Sequence, residues 1–210
     1  MNTGSLFFPH ISQFSDKWEG LLTRKTREEL FKEEYAKYNN SELAAAGVEQ
    51  YERSRENFYL LCWHMNDHES YLMWKVYANR GCAIQTNYER LVASFSDSPR
   101  EVNGCVVKYI DYERDPFPIG NVYSSVSYKD VPYRDEKEFR LLYWKVALQN
   151  QGYHAGDRGV EIGIDTDMLI QNIYINPGED IDVAELRKAL ETAGIRREIR
   201  QSRILMNVPM

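Results

Sequence analysis

The densest run of chemistry-bearing side chains is Cys62-Trp63-His64-Met65-Asn66-Asp67-His68-Glu69-Ser70-Tyr71-Leu72-Met73-Trp74-Lys75-Val76-Tyr77. A near-continuous apolar stretch over 58–63 leads into it, as in a buried strand. Met73, Val76 and Tyr77 follow at helical spacing. His64, Asn66, His68, Glu69 and Ser70 therefore fall at a strand-to-helix junction. A helix N-terminus carries unpaired N–H groups and the positive end of a dipole, which suits phosphate or carboxylate ligands. Asn66, with Glu69 three residues on, has capping-box spacing and predicts a helix over 67–79. With Asn66 as the cap, His64 lies outside that helix and no HExxH pattern is present, so no metal site is expected.

A second constellation is Arg134-Asp135-Glu136-Lys137-Glu138-Phe139-Arg140. On a strand, Glu136, Glu138 and Arg140 share one face. Adjacent carboxylates repel, so one can be held by Arg140 while the other is left to act. The plainer reading is a solvated strand face with a surface ion pair. A third group, His10, Asp16 and Glu19, lies in an apolar-aromatic stretch, with turn chemistry as its plainer reading. No glycine-rich phosphate loop, GxSxG elbow or Cys–His pairing occurs.

The elements that must position these groups are short. An edge strand is expected over 5–14, limited by Pro9, then a turn over 14–20 that tucks an aromatic inward. Leu30, Phe31, Tyr35 and Tyr38 give 26–37 the pattern of an amphipathic helix, and helices over 41–46 and 48–56 follow. Strands are expected at 82–86, 104–110 and 138–148, with a helix at 88–95 between the first two. The tail reads β-α-β-α-β, with a strand over 160–164, a helical turn over 167–170 and a strand over 172–175. A helix over 182–193, stopped by Gly194, and an edge strand over 197–204 complete it. The expected architecture is α+β. It is a single domain over 1–210, with a helical insertion at 26–57, a C-terminal extension at 160–210, and a central mostly antiparallel or mixed sheet flanked by helices.

Composition narrows the partners. The 210 residues hold 26 Lys and Arg against 32 Asp and Glu, a net charge of −6. That argues against a broad basic footprint for nucleic acid. The N-terminus has no basic and apolar leader, and no stretch approaches the ~20 apolar residues of a membrane span. Cys62, Cys82 and Cys105 are three, far apart and without CxxC spacing, so buried reduced thiols in a cytoplasmic protein are expected. The 15 tyrosines stand out against 8 Phe and 4 Trp. Tyr71 and Tyr77 fall in the junction segment with Trp74. Tyr109, Tyr112, Tyr123, Tyr128, Tyr133 and Tyr143 lead into the Glu-x-Glu strand. This distribution predicts a wet aromatic cleft for a flat polar ligand.

Several motifs together resemble the bacterial and phage domain of unknown function 2971 family. They are Cys62-Trp63-His64-Met65-Asn66 with Glu69-Ser70 and Met73-Trp74-Lys75-x-Tyr77, and the opening Leu6-Phe7-Phe8 with Phe14-Ser15-Asp16-x-x-Glu19-Gly20. Val107-x-Tyr109-Ile110-Asp111-Tyr112, Glu136-x-Glu138-x-Arg140 and the Ile164-Asp165 to Pro177 tail complete the set. The family more often has Arg at His10 and Pro at Lys17. The motif order is similar, more remotely, to the ADP-ribosyltransferase plan. That resemblance implies an ADP-ribosyltransferase-like fold and an NAD-dependent transferase or NAD glycohydrolase, acting as an effector in phage defence or a toxin system. NAD would be the cofactor, a nucleic acid or protein the acceptor, and a second protein the neutralising partner. By the same resemblance His10 holds the cofactor. Trp63, His64, Glu69, Ser70, Tyr71, Trp74, Tyr77 and Arg140 line its site. Glu138 is the catalytic carboxylate, and Glu136 positions the acceptor. Two other readings stay open: a Mg²⁺-dependent nuclease using Asp16, Glu19, Glu69, Glu136 and Glu138, and a non-catalytic module binding a nucleotide or a partner.

Overall fold

In the computed structural model of the chain, residues 3–78, 81–145, 158–176 and 181–204 are described. The architecture is α+β, with antiparallel and mixed sheets and flanking helices. The strands are β1 (Thr3–Pro9), β2 (Phe58–His64), β3 (Cys82–Gln85), β4 (Asn103–Val106), β5 (Lys108–Ile110), β6 (Tyr128–Asp130), β7 (Glu138–Trp144), β8 (Gly159–Asp165), β9 (Asn172–Ile175) and β10 (Ile199–Gln201). The α-helices are α1 (Arg24–Tyr38), α2 (Ser41–Arg53), α3 (Tyr71–Tyr77), α4 (Tyr88–Ala93), α5 (Ser124–Ser127), α6 (Thr166–Leu169) and α7 (Val183–Thr192). Short 3-10 helices lie at Ile11–Gln13, Ser54–Asn57 and Val131–Glu136.

The chain forms two compact units. The first gathers Met1–Leu6, Asn66–Arg100 and Glu161–Met210, and the second gathers Phe7–Met65 and Glu101–Val160. β1 and β8 pair in a two-stranded sheet.

The second unit is built on the antiparallel sheet β2-β7-β4. Its register sets Phe58 opposite Trp144, Leu60 opposite Leu142, Cys62 opposite Arg140 and His64 opposite Glu138. Opposed residues share a face, so one face runs from apolar at the Phe58 end to charged at the His64 end. The apolar end packs Phe58, Leu60 and Leu142 with Ile11 and Val126. Each such fully buried side chain contributes about 1.5–3 kcal/mol. The expected alternation of side-chain direction along 138–148 is present over Glu138–Trp144, although both Glu138 and Arg140 on the polar side are buried. Residues 146–148 of that expectation lie outside the described residues.

The helical hairpin of this unit starts from two polar caps. Thr23 Oγ1 accepts from Thr26 N–H at 3.2 Å to open α1. Asn39 adopts a left-handed conformation that ends α1, and Asn40 Oδ1 accepts from the N–H groups of Glu42 and Leu43 to open α2. The two helices expected over 41–46 and 48–56 are one, because Gly47 is tolerated inside it. Of the apolar side chains on α1 only Leu30 is buried; Phe31, Tyr35 and Tyr38 are exposed. Leu22, Leu30, Val48 and Phe117 form a second core. The single strand expected over 104–110 is two, β4 and β5, in different sheets, with Val107 buried between them. β5 pairs in parallel with β6.

In the first unit β9 is central, antiparallel to β3 and parallel to β10. Asp182 caps α7 by accepting from Ala184 and Glu185 N–H, and Gly194 follows with positive φ, as expected. The junction helix differs from expectation. It spans Tyr71–Tyr77, and its cap is Ser70, not Asn66. Glu69 is withdrawn from a capping box because its carboxylate takes the Trp74 indole N–H at 3.1 Å, the Arg203 N–H at 2.7 Å and the Ser202 hydroxyl. Asn79, where that helix was expected to end, lies outside the described residues.

The thiols also depart from expectation. Cys62 and Cys82 are exposed and Cys105 is half-buried. β2 and β4 are the outer strands of their sheet and β3 of its own, so these residues lack a covering neighbour on one side. No helix among the described residues is long and apolar enough to cross a membrane.

Candidate functional site

At the charged end of β2-β7-β4 the structure assembles five ionic side chains. Arg140 is fully buried. Its Nε donates to Glu138 Oε2 at 2.7 Å. Nη1 donates to Glu19 Oε1 at 2.6 Å and to the Val126 carbonyl at 2.8 Å, and Nη2 donates to Glu19 Oε2 at 3.1 Å. The flat guanidinium thus meets Glu19 through two parallel bonds, the arrangement a lysine could not reproduce. Lys129 Nζ donates to Glu138 Oε1 at 2.6 Å and to Glu136 Oε2 at 2.5 Å, and lies 3.8 Å from Glu19 Oε2. The Tyr133 ring covers Lys129, with its centroid 4.6 Å from Nζ. Tyr109 supplies its hydroxyl oxygen to the Glu138 backbone N–H at 2.8 Å.

This answers which carboxylate is held. Both oxygens of Glu138 are engaged, and its side chain is 5% exposed against 17% for Glu136. Burial alone would raise the Glu138 carboxyl. The Arg140 guanidinium, the adjoining Glu136 carboxyl and the Lys129 ammonium outweigh burial and hold it well below the ordinary carboxylate range. Burial likewise opposes the charge on Lys129, yet its three carboxylate neighbours raise it above the ordinary lysine value. Burial pushes the Tyr109 and Tyr112 hydroxyls up. Glu138, Lys129 and Arg140 are thus each held in the charged form.

Glu136 reaches this point differently from the expected strand geometry. It ends the Val131–Glu136 3-10 helix, and Lys137 turns the chain through a left-handed conformation with φ 43° before β7 begins at Glu138. The strand therefore contributes only Glu138 and Arg140. Glu136 joins them through Lys129 rather than by strand alternation.

The other expected site residues are placed as follows. His64 ends β2 opposite Glu138, and its Nδ1 donates to the Glu136 carbonyl at 2.6 Å. Trp63, opposite Phe139, faces the other side of the sheet, and its buried indole N–H has no hydrogen-bond partner. His10 is buried away from the cluster. Its Nε2 donates to the Glu56 carbonyl at 2.8 Å, and its Nδ1 accepts from Ser12. It bridges Tyr59, five residues along β2 from His64, a separation of about 17 Å at ~3.4 Å per residue. The structure thus brings Glu136, Glu138, Arg140 and His64 together and leaves His10 at the other end of the strand.

Glu69, Ser70, Tyr71, Trp74 and Tyr77 belong to the first unit. There Ser70 caps α3, Trp74 is buried against Glu69, and Tyr71 and Tyr77 are exposed. Tyr71 carries the Lys75 ammonium over its ring at 5.6 Å.

Lys129 is central to the cluster and was not among the expected residues, and Glu19, expected only in a turn group with His10 and Asp16 or as a Mg²⁺ ligand, is the partner of Arg140. Glu19 sits in a turn whose neighbours, Asp16 and Trp18, give it an ordinary surface signature, although Trp18 is exposed and Glu19 buried. Lys129, between Tyr128 and Asp130, carries no motif at all. Of the tyrosines near the Glu-x-Glu strand, Tyr109 and Tyr133 reach the cluster, whereas Tyr123 packs with Phe58 and Trp144 in the core.

Comparison of the chain with protein-family models, with curated proteins and with solved structures finds no match.

Proposed function

We propose that the chain is an NAD-consuming enzyme, an ADP-ribosyltransferase or NAD glycohydrolase, centred on the Glu136–Lys129–Glu138 cluster. The observation that carries this reading is the meeting of both carboxylates of the Glu-x-Glu motif on one buried ammonium, at 2.5 and 2.6 Å. Cleavage of the nicotinamide–ribose bond builds oxocarbenium-like positive charge on the ribose. A carboxylate fixed in place beforehand and ionised throughout stabilises that charge without reorganising. The resemblance gave the ribose to Glu138 and the acceptor to Glu136. Because both Glu138 oxygens are engaged and Glu136 is the more exposed, the roles are exchanged here, with Glu136 meeting the ribose and Glu138 holding the cluster's charge in place. Glu138, Lys129 and Arg140 are then positioning residues. Tyr109 and Tyr133 give the cluster the aromatic surface on which a nicotinamide ring stacks. The effector role in phage defence or a toxin system, with its neutralising protein, rests on the family resemblance alone.

The Mg²⁺ nuclease reading is less well supported. Of its five ligands, Glu19, Glu136 and Glu138 are already matched to Lys129 and Arg140, and Glu69 is committed to Trp74, Ser202 and Arg203. The test is incubation with NAD while nicotinamide release is followed. The expected result is turnover lost in Glu136→Gln. Absence of turnover with water, RNA, DNA or protein as acceptor overturns the proposal.

A further inference from the structure

His64 has one ring nitrogen engaged and the other not. A carbonyl oxygen only accepts, so the 2.6 Å contact with the Glu136 carbonyl places the ring proton on Nδ1. In the neutral ring Nε2 is then an acceptor. That atom is buried and has no hydrogen-bond partner. Buried polar atoms are nearly always paired, so an unpaired acceptor beside a charged cluster calls for a partner that a bound molecule can supply. His10 offers the contrast within the same unit, since both of its nitrogens are engaged. The tautomer of His64 is also set by backbone, so it does not depend on the charge of the Glu136 side chain.

Position completes the argument. His64 lies directly opposite Glu138 in the β2–β7 register, so the two side chains leave the sheet on the same face with Cβ atoms about 5 Å apart. The carboxylates are already engaged here. Glu138 has both oxygens engaged, and Glu136 Oε2 holds Lys129. A base must be able to take a proton in the working pH range, and imidazole is the side chain suited to that.

We propose that His64 accepts, through Nε2, the proton of the nucleophile in the reaction assigned to this site; the inference rests on the NAD reading. The ribose C1′–nicotinamide N bond breaks, and its electron pair passes to the nicotinamide ring, which leaves neutral. Water, or an acceptor hydroxyl, forms the new C1′–O bond, and its proton moves to Nε2. The imidazolium then returns that proton to solvent. Overall, NAD⁺ and water give ADP-ribose, nicotinamide and a proton.

The test uses the full chain. ¹⁵N NMR of the wild-type protein should find His64 in the Nδ1–H tautomer with Nε2 unprotonated. His64→Ala should lower nicotinamide release by about 10²–10⁴-fold, mainly in kcat, as for other positioned bases. Added imidazole should restore part of that loss. His64→Gln, which keeps a polar side chain of similar length, should lose turnover without responding to imidazole, and the far-UV signal of both variants checks folding. An Nε2–H tautomer, or turnover by His64→Ala within about threefold of wild type, overturns this step alone. Absence of nicotinamide release by the wild type overturns the NAD reading and the step with it.

Discussion

Arg140 and Glu19 are 121 residues apart in the chain and meet as a two-pronged ion pair, Nη1 to Oε1 at 2.6 Å and Nη2 to Oε2 at 3.1 Å. Both side chains are essentially without solvent contact. Removing one partner of such a pair leaves the other charge buried and unmatched. Arg140→Met should therefore cost about 3–5 kcal/mol of stability, against the 0–1 kcal/mol typical of a surface pair. Urea unfolding measures it, and a cost below 1 kcal/mol would show that Glu19 can reach water.

The depressed Glu138 carboxyl fixes a direction for acid sensitivity. A carboxyl whose folded value lies below its unfolded one binds its proton less readily in the native state. Its stabilisation is complete above the ordinary value of 4.5 and is lost as pH falls below that value toward the folded one. Wild type and Glu138→Gln should thus differ most at neutral pH and converge below about pH 4. Chemical unfolding at pH 7, 5 and 3.5 gives the comparison, and a gap that widens in acid contradicts it.

Lys129 keeps two like charges together. In Lys129→Met the Glu136 and Glu138 carboxylates face each other without it, and one of them should hold its proton to higher pH than an isolated carboxyl. The variant should therefore gain stability relative to wild type as pH falls from 7 to 5. A parallel pH course for the two proteins would mean that Arg140 alone suffices.

Glu69 ties α3 to residues 202–203. Glu69→Gln keeps the side chain's size but has one acceptor oxygen where Glu69 uses two, so it should cost about 1–2 kcal/mol, with most of the effect local. Hydrogen exchange at the Arg203 amide is the sensitive readout and should accelerate, while the β2-β7-β4 amides stay protected.

Gly104 lies beneath the Phe139 ring, where an added Cβ would come within 2.7 Å of Cζ. Gly104→Ala should destabilise by about 1–3 kcal/mol through this clash. Thermal unfolding of the single variant and of Gly104→Ala with Phe139→Leu, which removes the contact, separates the clash from any backbone effect.

The parts of the fold that the residues announced are those governed by local rules. The β2 run, the face-sharing of Glu138 and Arg140, the Asp182 cap and the Gly194 stop each follow from a few neighbours in sequence. The misread parts are those where a distant partner outbids the local one. Glu69 has a cap within reach at Asn66 and is taken by Trp74, Ser202 and Arg203 instead. Val107 looks like the middle of a strand, yet the chain leaves one sheet there and enters another. The site divides the same way. Glu136, Glu138 and Arg140 were visible as a pattern, and the family resemblance pointed to His10. The residue that actually matches Arg140 is Glu19, whose burial depends on contacts across 121 positions. Lys129 could be found only from the fold, since a lysine between a tyrosine and an aspartate is ordinary on any surface.

The division of the chain into two units has a practical reading. The chain passes from one unit to the other four times, at 6–7, 65–66, 100–101 and 160–161. Neither unit corresponds to a stretch that a single pair of cuts could release. Exchange of a contiguous segment with another protein cannot therefore transplant either unit whole. A nick at 65–66 followed by separation of the fragments should divide the second unit's core and detach Met1–Leu6 from the first, which makes split-protein complementation, not truncation, the route to studying either half.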